Sequence, residues 1–164
     1  MILKKIALIG AALLLAACSS DPEAGPDAGV TGGGSTAGGP APNTLAYFNQ
    51  VVGDRVFFDT DRHDLNSSAQ ATLSGQAQWL NSNPGTTAVI EGHADERGTR
   101  QYNLALGARR ANSVYNYLIS QGVEANRLRT VSYGKERPIA LGSDPNSWSQ
   151  NRRGMTVVTG APSS

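Results

Sequence analysis

The residues best suited to chemistry form a charged segment from Glu91 to Asn112, which reads EGHADERGTRQYNLALGARRAN. Its acidic residues come first and its arginines come last. Carboxylates and imidazoles together could support general acid–base catalysis or hold a metal ion. An arginine fork and a carboxylate could instead bind a ligand that carries both charges. The carboxylates and imidazoles in this segment and in an earlier loop include Asp59, Asp61, His63, Asp64, His93, Asp95 and Glu96.

Neither catalysis nor metal binding has a recognisable pattern behind it. His93 and Asp95 lie two residues apart where a strand is expected to end, and the sequence contains no HExxH and no GxSxG. Cys18, the single cysteine, directly follows the apolar run near the N-terminus and is not part of this charged segment. The sequence therefore predicts no metal site and no cofactor, and the charged segment is better explained as a binding site.

Helical spacing separates the two adjacent arginines, Arg109 and Arg110. Residues three and four apart lie on one side of a helix, so Asn103, Leu106 and Arg110 form one stripe. We expect this stripe to border the apolar one, with the stem of Arg110 packed at the edge of the core and its fork presented. Arg109 is expected to point toward water. The apolar stripe is predicted to consist of Leu104, Ala108, Ala111, Tyr115 and Leu118.

Asp95 precedes this helix, in a loop that Gly92 and Gly98 are expected to turn sharply. Its carboxylate could then approach Arg110 across the top of the helix. Two interpretations stay open at this point: the two side chains form a salt bridge with each other, or both face a ligand. Such a ligand would be a zwitterionic amino-acid centre, whose ammonium matches Asp95 and whose carboxylate matches the fork of Arg110. Backbone N–H groups at the start of the helix would add donors for the carboxylate.

Four strands and two helices are expected to position these residues. The strands are predicted over RVFFD (55–59), TTAVIEG (86–92), RLRTVSYG (127–134) and RRGMTVVTG (152–160). One helix is predicted from Ser67 to Asn81 with Asn66 or Ser67 as its cap, and the second helix ends at Gly122. Residues 138–150 are expected to form a loop with room for a helical turn. The order β-α-β-α-β-β predicts an α+β domain in which two helices pack on one sheet.

The N-terminal part of the sequence is typical of an export signal followed by a linker. Two lysines precede an apolar run that ends at Ala17 and is shorter than the ~20 residues that a membrane-spanning helix needs. Residues 1–17 are therefore predicted to be a signal peptide. Residues 18–44, rich in Gly, Ser and Pro, are predicted to be a flexible tether. The folded domain is expected over residues 45–160, with a tail over residues 161–164.

The segment Leu15-Ala16-Ala17-Cys18 resembles the lipobox of bacterial lipoproteins. The resemblance implies that Cys18 becomes an S-diacylglycerol cysteine and that its freed amine is acylated as N-palmitoyl cysteine. An ordinary signal peptide with an incidental cysteine is the alternative. Two or more acyl chains anchor a protein stably without spanning the membrane. Ser19 at the next position implies the outer membrane rather than the inner one.

Three further segments resemble the peptidoglycan-associated lipoproteins, whose folded part is the domain found at the C-terminus of outer-membrane protein A. They read GHADERGTRQYNLALGARRANSVYNYL (92–118), GVEANRLRTVSYGKERP (122–138) and NRR (151–153). The resemblance runs from about Arg55 to Val158. It implies a mixed sheet with helices packed on one face, and a module that binds rather than catalyses.

The ligand that this resemblance implies is the meso-diaminopimelate residue of the peptidoglycan peptide stem, whose side chain ends in a zwitterionic centre. Asp95 would take its ammonium and Arg110 its carboxylate. Asn103 and Leu106 would help to shape the pocket, and Phe58 and Asp59 would form its other wall. The rim would carry Asn151 and either Arg152 or Arg153; the resemblance leaves this choice open.

The same resemblance implies a place in the Tol–Pal system, which supports envelope integrity and cell division. TolB and further Tol components are the implied partners, and the domain would lie in the periplasm below an outer-membrane lipid anchor. A periplasmic cell-wall hydrolase that uses the Asp59 and Asp95 carboxylates is the alternative function. The wall anchor of a flagellar stator is a third, which would need a transmembrane helix.

Overall fold

The folded part of the chain appears in a computed structural model, which describes residues 39–160. The predicted signal peptide, Cys18, residues 18–38 of the predicted tether and the 161–164 tail lie outside the described residues. In chain order the elements are α1 (Leu45–Tyr47), a π-helical turn (Phe48–Gly53), β1 (Arg55–Phe57), α2 (Ser67–Ser82), β2 (Ala88–His93), α3 (Arg100–Ser120), a 3-10 turn (Ala125–Arg127), β3 (Leu128–Gly134), α4 (Pro145–Asn151) and β4 (Arg153–Val158).

The strands form one mixed sheet in the order β1-β4-β2-β3. β4 lies antiparallel to both β1 and β2, whereas β2 and β3 are parallel. One face of the sheet lies against α2 and α3: Thr156 donates to Gln76 of α2 (2.7 Å), and Gly92 and Gly154 lie against α3. The predicted α+β fold with its mixed sheet is therefore confirmed.

A polar cap starts each of the two long helices, and the first of these caps is one that the sequence predicts. The Asn66 side chain accepts a hydrogen bond from the backbone N–H of Ala69 (2.9 Å) at the start of α2. The Thr99 hydroxyl accepts one from Tyr102 N–H (3.2 Å) at the start of α3. These bonds satisfy backbone donors that have no partner within the helix. Gly122, with φ at +90°, follows the last turn of α3 as expected.

The loop predicted over residues 138–150 contains a full helix instead of a single turn. α4 spans seven residues, from Pro145 to Asn151. Asp144 accepts hydrogen bonds from the N–H groups of Asn146 and Ser147, and Pro145 occupies the first turn, where it has no N–H to lose. The Asp-Pro pair is thus a helix start that the sequence signals directly.

The N-terminal segment joins the fold before the predicted boundary at residue 45. Trp79 of α2 donates from Nε1 to the carbonyl of Pro42 (2.8 Å), and its ring lies 4.8 Å from the ring of Phe48. Phe48 is fully buried. Gln76 donates to the carbonyl of Gly53 (2.7 Å), which fixes the end of the π-helical turn. These contacts attach the segment to α2.

Two glycines bring α3 unusually close to the sheet. A Cβ on Gly92 of β2 would collide with the carbonyl oxygen of Gly107 and lie 2.6 Å from its carbonyl carbon. A Cβ on Gly107 would in turn lie 2.7 Å from the carbonyl oxygen of Gly92. Gly92 was expected to turn the following loop, but it lies within a strand and its role is this close approach. Gly98, with φ at +85°, does serve the loop.

This contact sets the rotation of α3 about its axis. The predicted apolar stripe is wrong at one residue, Leu104. Leu104 is 48% exposed, whereas the polar residues Asn103 and Arg110 are buried. The stripe of Asn103, Leu106 and Arg110, which was expected to border the core, therefore lies on the side of α3 that faces the core. The buried residues of α3 are Asn103, Leu106, Gly107, Arg110, Ala111, Val114 and Leu118.

Among residues 39–160, no helix combines the length and apolar character that crossing a membrane requires.

Candidate ligand-binding site

A cavity of about 290 Å³ lies where the charged segment meets the loop after β1. We call it the Asp95 cavity. Its walls come from the β2–α3 loop, the first turns of α3, the β1–α2 loop and the residue that precedes β4. The lining residues are Thr60, Asp61, Asp95, Arg97, Gly98, Tyr102, Asn103, Leu106, Arg110 and Arg152.

Asp95 is 7% exposed and its carboxylate is held by two arginines. Arg97 donates from Nε to Oδ1 (3.1 Å) and from Nη2 to Oδ2 (2.7 Å), and its backbone N–H also reaches Oδ1 (3.1 Å). Arg152 donates from Nη1 to Oδ2 (3.3 Å). Burial alone would raise the pKa of Asp95, but the hydrogen bonds and charge of Arg97, with the bond from Arg152, lower it below the usual value. Asp95 is therefore ionised at neutral pH.

Arg110 does not pair with Asp95. It is fully buried and donates to three backbone carbonyls: Nε to Arg62 (2.8 Å), Nη1 to His93 (2.8 Å) and Nη2 to Asp59 (3.0 Å). These carbonyls belong to the β1–α2 loop and to the end of β2, so this side chain joins both to α3. Burial lowers the pKa of Arg110 to about 10, which leaves it charged at neutral pH.

The fork of Arg110 still has donors to offer. A guanidinium carries five N–H groups, and three of them are used by the carbonyls, which leaves one on each terminal nitrogen. Because Arg110 also lines the Asp95 cavity, these two N–H groups are the donors that a ligand carboxylate would have to reach. The salt bridge between Asp95 and Arg110 considered above is thus not formed.

The structure separates Arg152 from Arg153. Arg152 precedes β4, lines the Asp95 cavity and is anchored by a hydrogen bond from Nε to the carbonyl of Phe58 (3.0 Å). Arg153 is the first residue of β4 and pairs with Phe57. Its buried side chain donates to the carbonyl of Arg137 (3.2 Å) instead of reaching the cavity. Arg152 is therefore the rim arginine.

Three of the predicted site residues do not line the Asp95 cavity. Phe58 is buried in the core, and the exposed side chain of Asp59 lines a neighbouring groove that also contains Arg152. Phe58 and Asp59 contribute backbone carbonyls, which hold Arg152 and Arg110. Asn151 uses its amide oxygen to accept hydrogen bonds from the N–H groups of residues 139 and 140 (2.8 and 3.2 Å), so it organises the loop before α4.

Asn103 and Leu106 lie on the α3 side of the cavity, as expected. Asn103 donates from Nδ2 to the carbonyl of Arg97 (2.7 Å) and thereby fixes the loop that carries Asp95. Leu106, 4% exposed, supplies an apolar patch.

The family resemblance predicts Phe58 and Asp59 in the cavity wall opposite α3, but Thr60 and Asp61 form this wall. Asp61 adopts a left-handed backbone with φ at 58°, a conformation that aspartate tolerates better than most residues. Its carboxylate accepts a hydrogen bond from the hydroxyl of Tyr102. The same FFDTD segment thus contributes to the cavity two positions further along the chain.

The charge balance of the cavity favours a ligand with an anionic group. Three arginines, at positions 97, 110 and 152, face two aspartates, at positions 61 and 95, so one positive charge is in excess. A carboxylate with a nearby ammonium could meet both signs at once. Among residues 39–160, no group of three or more His, Cys, Asp or Glu side chains is arranged to hold a metal ion.

His93 lies just outside the cavity and is 1% exposed. Its ring packs against Tyr133 (5.6 Å between centroids), and its Nε2 lies 3.3 Å from Glu91. Nδ1 has no partner among the described residues. Burial, followed by the charges of Arg153 and Arg137, lowers the pKa of His93 to about 4.

This depressed pKa predicts a loss of stability on acidification. The unfolded chain binds a proton at His93 below a pKa of about 6.5, whereas the folded chain binds it only near 4, so stability falls as pH drops between these values. We expect His93 to account for about 2 kcal/mol of the unfolding free energy lost between pH 7.5 and pH 5. Urea unfolding of the full-length wild type and of His93→Gln between pH 7.5 and pH 5 measures this contribution to the unfolding free energy. The variant should lose the slope, the exposed His63→Gln control should keep it, and an unchanged slope in His93→Gln would refute the assignment.

Comparison with known proteins places these features in a family. The OmpA family model matches residues 57–152. The peptidoglycan-associated lipoprotein of Rhizobium meliloti is 54% identical over 151 residues, which cover 92% of this chain and 85% of that protein. The crystal structure of the peptidoglycan-associated lipoprotein from Burkholderia pseudomallei is 45% identical, with a TM-score of 0.63, over 65% of this chain and 90% of that chain. The C-terminal domain of Helicobacter pylori MotB has the same fold, with a TM-score of 0.61 at 24% identity, over 65% of this chain and 84% of that domain.

Proposed function

The chain belongs to the OmpA family and, within it, to the peptidoglycan-associated lipoproteins, and we propose that its folded part binds peptidoglycan without altering it. The ligand that we propose is the side-chain end of meso-diaminopimelate in the peptide stem. The observation that carries this proposal is the Asp95 cavity, where the ionised Asp95 and a second aspartate, Asp61, lie among three arginines. That arrangement offers a partner to each charge of a zwitterionic centre.

In the proposed complex the ligand carboxylate lies between Arg110 and Arg152. Arg110 offers the two N–H groups that its carbonyl partners leave unused, and Arg152 offers its Nη2. Hydrogen bonds between a guanidinium and a carboxylate are among the strongest in proteins because both groups are charged. The ligand ammonium is held by Asp95. Leu106 packs against the methylene groups that link this end of meso-diaminopimelate to the rest of the residue.

Catalysis by a pair of carboxylates is less well supported by the geometry. Asp59 and Asp95, the pair that a hydrolase would use, do not line the same cavity. A general acid needs a raised pKa, whereas the two arginines lower the pKa of Asp95. We therefore propose a binding module and give hydrolysis no role.

The wider role that we propose is that of a tether between membrane and cell wall. Cys18 would carry the lipid anchor in the outer membrane, residues 18–44 would span part of the periplasm, and the domain would hold the wall. Weak contacts suffice in this setting, because membrane and wall keep the two partners at a high effective concentration. TolB and other Tol components are the protein partners that we propose, within a system that supports envelope integrity and division.

Sedimentation with isolated sacculi tests the proposal. Full-length protein in detergent is mixed with sacculi whose stems contain diaminopimelate and, as a matched control, with sacculi whose stems contain lysine, which lacks the terminal carboxylate. We expect at least about tenfold tighter binding to the diaminopimelate wall, because the lysine stem leaves Arg110 and Arg152 without their partner. Equal binding to both walls would refute the assigned ligand. Release of soluble muropeptides into the supernatant would support the hydrolase instead.

A further inference from the structure

The carboxylate of Asp95 has no capacity left for a ligand. Oδ1 accepts from the backbone N–H and the Nε of Arg97, and Oδ2 accepts from Nη2 of Arg97 and Nη1 of Arg152. A carboxylate offers about four acceptor positions, and all of them are taken. An ammonium group can reach Asp95 only if one of these donors leaves.

We infer that Arg97 is an internal ligand of the Asp95 cavity, and that its guanidinium occupies the position of the ligand ammonium and must be exchanged for it. The inference rests on the proposed function, because it concerns how the same site takes up its zwitterion. Exchange of one cation for another keeps the charge at Asp95 balanced throughout.

Arg97, rather than Arg152, is the donor that leaves. The side chain of Arg97 is 41% exposed, and within residues 39–160 its one hydrogen bond beyond Asp95 is a long one to the hydroxyl of Thr60 (3.4 Å). The side chain of Arg152 is 14% exposed and is anchored at Nε by the carbonyl of Phe58 (3.0 Å). Release of Arg152 would break its partly buried hydrogen bond to Phe58, whereas release of Arg97 would transfer a guanidinium to a region already open to water.

In the position where it binds Asp95, the Arg97 guanidinium already contacts a second partner, the ring of Trp148. Its central carbon lies 4.3 Å from the centre of the Trp148 ring, a distance at which a cation is attracted by the aromatic face. Trp148 is itself held by a hydrogen bond from Nε1 to Glu96 (2.9 Å). Arg97 can therefore give up Asp95 while it stays in contact with Trp148.

The exchange needs no movement of the backbone. Lys135 donates to the carbonyls of Glu96 (3.1 Å) and Gly98 (2.7 Å), and Asn103 donates to the carbonyl of Arg97 (2.7 Å). These three bonds hold the loop on both sides of Arg97. Rotation of one side chain thus opens the cavity, and the N–H of residue 97 continues to hold Oδ1 of Asp95.

Removal of the Arg97 side chain should change the affinities for two related ligands in opposite directions. meso-Diaminopimelate carries the ammonium that competes with Arg97, so its affinity should rise about three- to tenfold in Arg97→Ala. Pimelate has the same carbon chain and both carboxylates but no amine. It should bind about threefold or more weakly, because Asp95 then repels it without a neutralising guanidinium.

Isothermal titration calorimetry of the full-length protein in detergent measures both affinities. Arg100→Ala is the matched control. Arg100 is an exposed arginine three residues after Arg97; it pairs with Glu136 and does not line the cavity. It should leave both affinities unchanged. A lower affinity of Arg97→Ala for diaminopimelate, or an unchanged ratio between the two ligands, would overturn the inference, provided that urea unfolding shows a folded variant. Failure of the wild type to bind diaminopimelate-containing sacculi would overturn the proposed function itself.

Discussion

Asp95→Asn is expected to weaken binding of the full-length protein to diaminopimelate-containing sacculi at least about thirtyfold, since removal of one partner from a desolvated charge pair has effects of this size. Asparagine has nearly the same shape as aspartate, so the variant removes the charge and replaces one of the two acceptor oxygens by an NH2 donor, which would face an arginine N–H. The ammonium of the ligand would then enter a cavity with three arginines and one aspartate. Repulsion would replace the attraction that holds it.

Sedimentation of the wild type, Asp95→Asn and Arg109→Ala with the same sacculi checks this result. Arg109 is exposed and does not line the cavity, so its loss should leave binding near the wild-type level. Asp95→Asn is a sharper test than Arg110→Ala, because Arg110 fixes three backbone carbonyls and its loss would disturb the fold as well as the site. Retained binding by a folded Asp95→Asn protein would exclude Asp95 as the ammonium partner.

Gly92→Ala is expected to destabilise the folded chain by about 3–5 kcal/mol, above the range of about 1–3 kcal/mol that is typical of overpacked sites. The added Cβ collides with the carbonyl oxygen of Gly107 and lies 3.1 Å from the backbone nitrogen of Ala111. Backbone atoms of a helix cannot rotate aside as a side chain can. α3 would have to move away from β2, and it would take Arg110 and the wall of the cavity with it.

The same substitution in a helix with free space should have the opposite sign. Gly75 lies within α2, where an added Cβ would be 3.5 Å from a methyl group of Val52, an ordinary contact. Alanine is favoured over glycine inside a helix by about 0.5–1 kcal/mol, so Gly75→Ala should stabilise the protein slightly. Urea unfolding of both variants measures the difference. A loss below about 1 kcal/mol in Gly92→Ala would mean that the helix and strand separate easily.

The secondary structure was predictable because local rules and tertiary packing agree over most of the chain. The cap at Asn66 and the left-handed Gly122 fix the start of α2 and the end of α3 within a residue or two. The rotation of α3 was not predictable from apolar spacing, which assigned Leu104 to the core and Arg110 to its edge. Packing of Gly92 against Gly107 turns the helix and buries Arg110, and the backbone carbonyls that compensate this charge come from loops distant in sequence.

The site was predictable in its residue types more than in its pairings. Asp95, Arg110, Asn103 and Leu106 do meet around one cavity. The pairing of Asp95 with Arg97 depends on the path of one loop, which periodicity does not describe. For the choice between Arg152 and Arg153, the alternation of side chains along the strand predicted over residues 152–160 was a usable signal. Adjacent residues of a strand point to opposite faces, so one of the two arginines had to point away from the cavity.

The attachment of the N-terminal segment to α2 determines how this domain would bear a mechanical load. A pull from a lipid anchor at Cys18 would arrive first at Pro42, where the indole of Trp79 holds the chain, and then at the buried ring of Phe48. None of the residues from Pro42 to Gly53 lines the Asp95 cavity. In the proposed tether, tension between membrane and wall would therefore strain a short helical segment before it reached the residues that we propose to bind the wall. Residues 42–53 could therefore detach from α2 and extend under force while the Asp95 cavity keeps its structure.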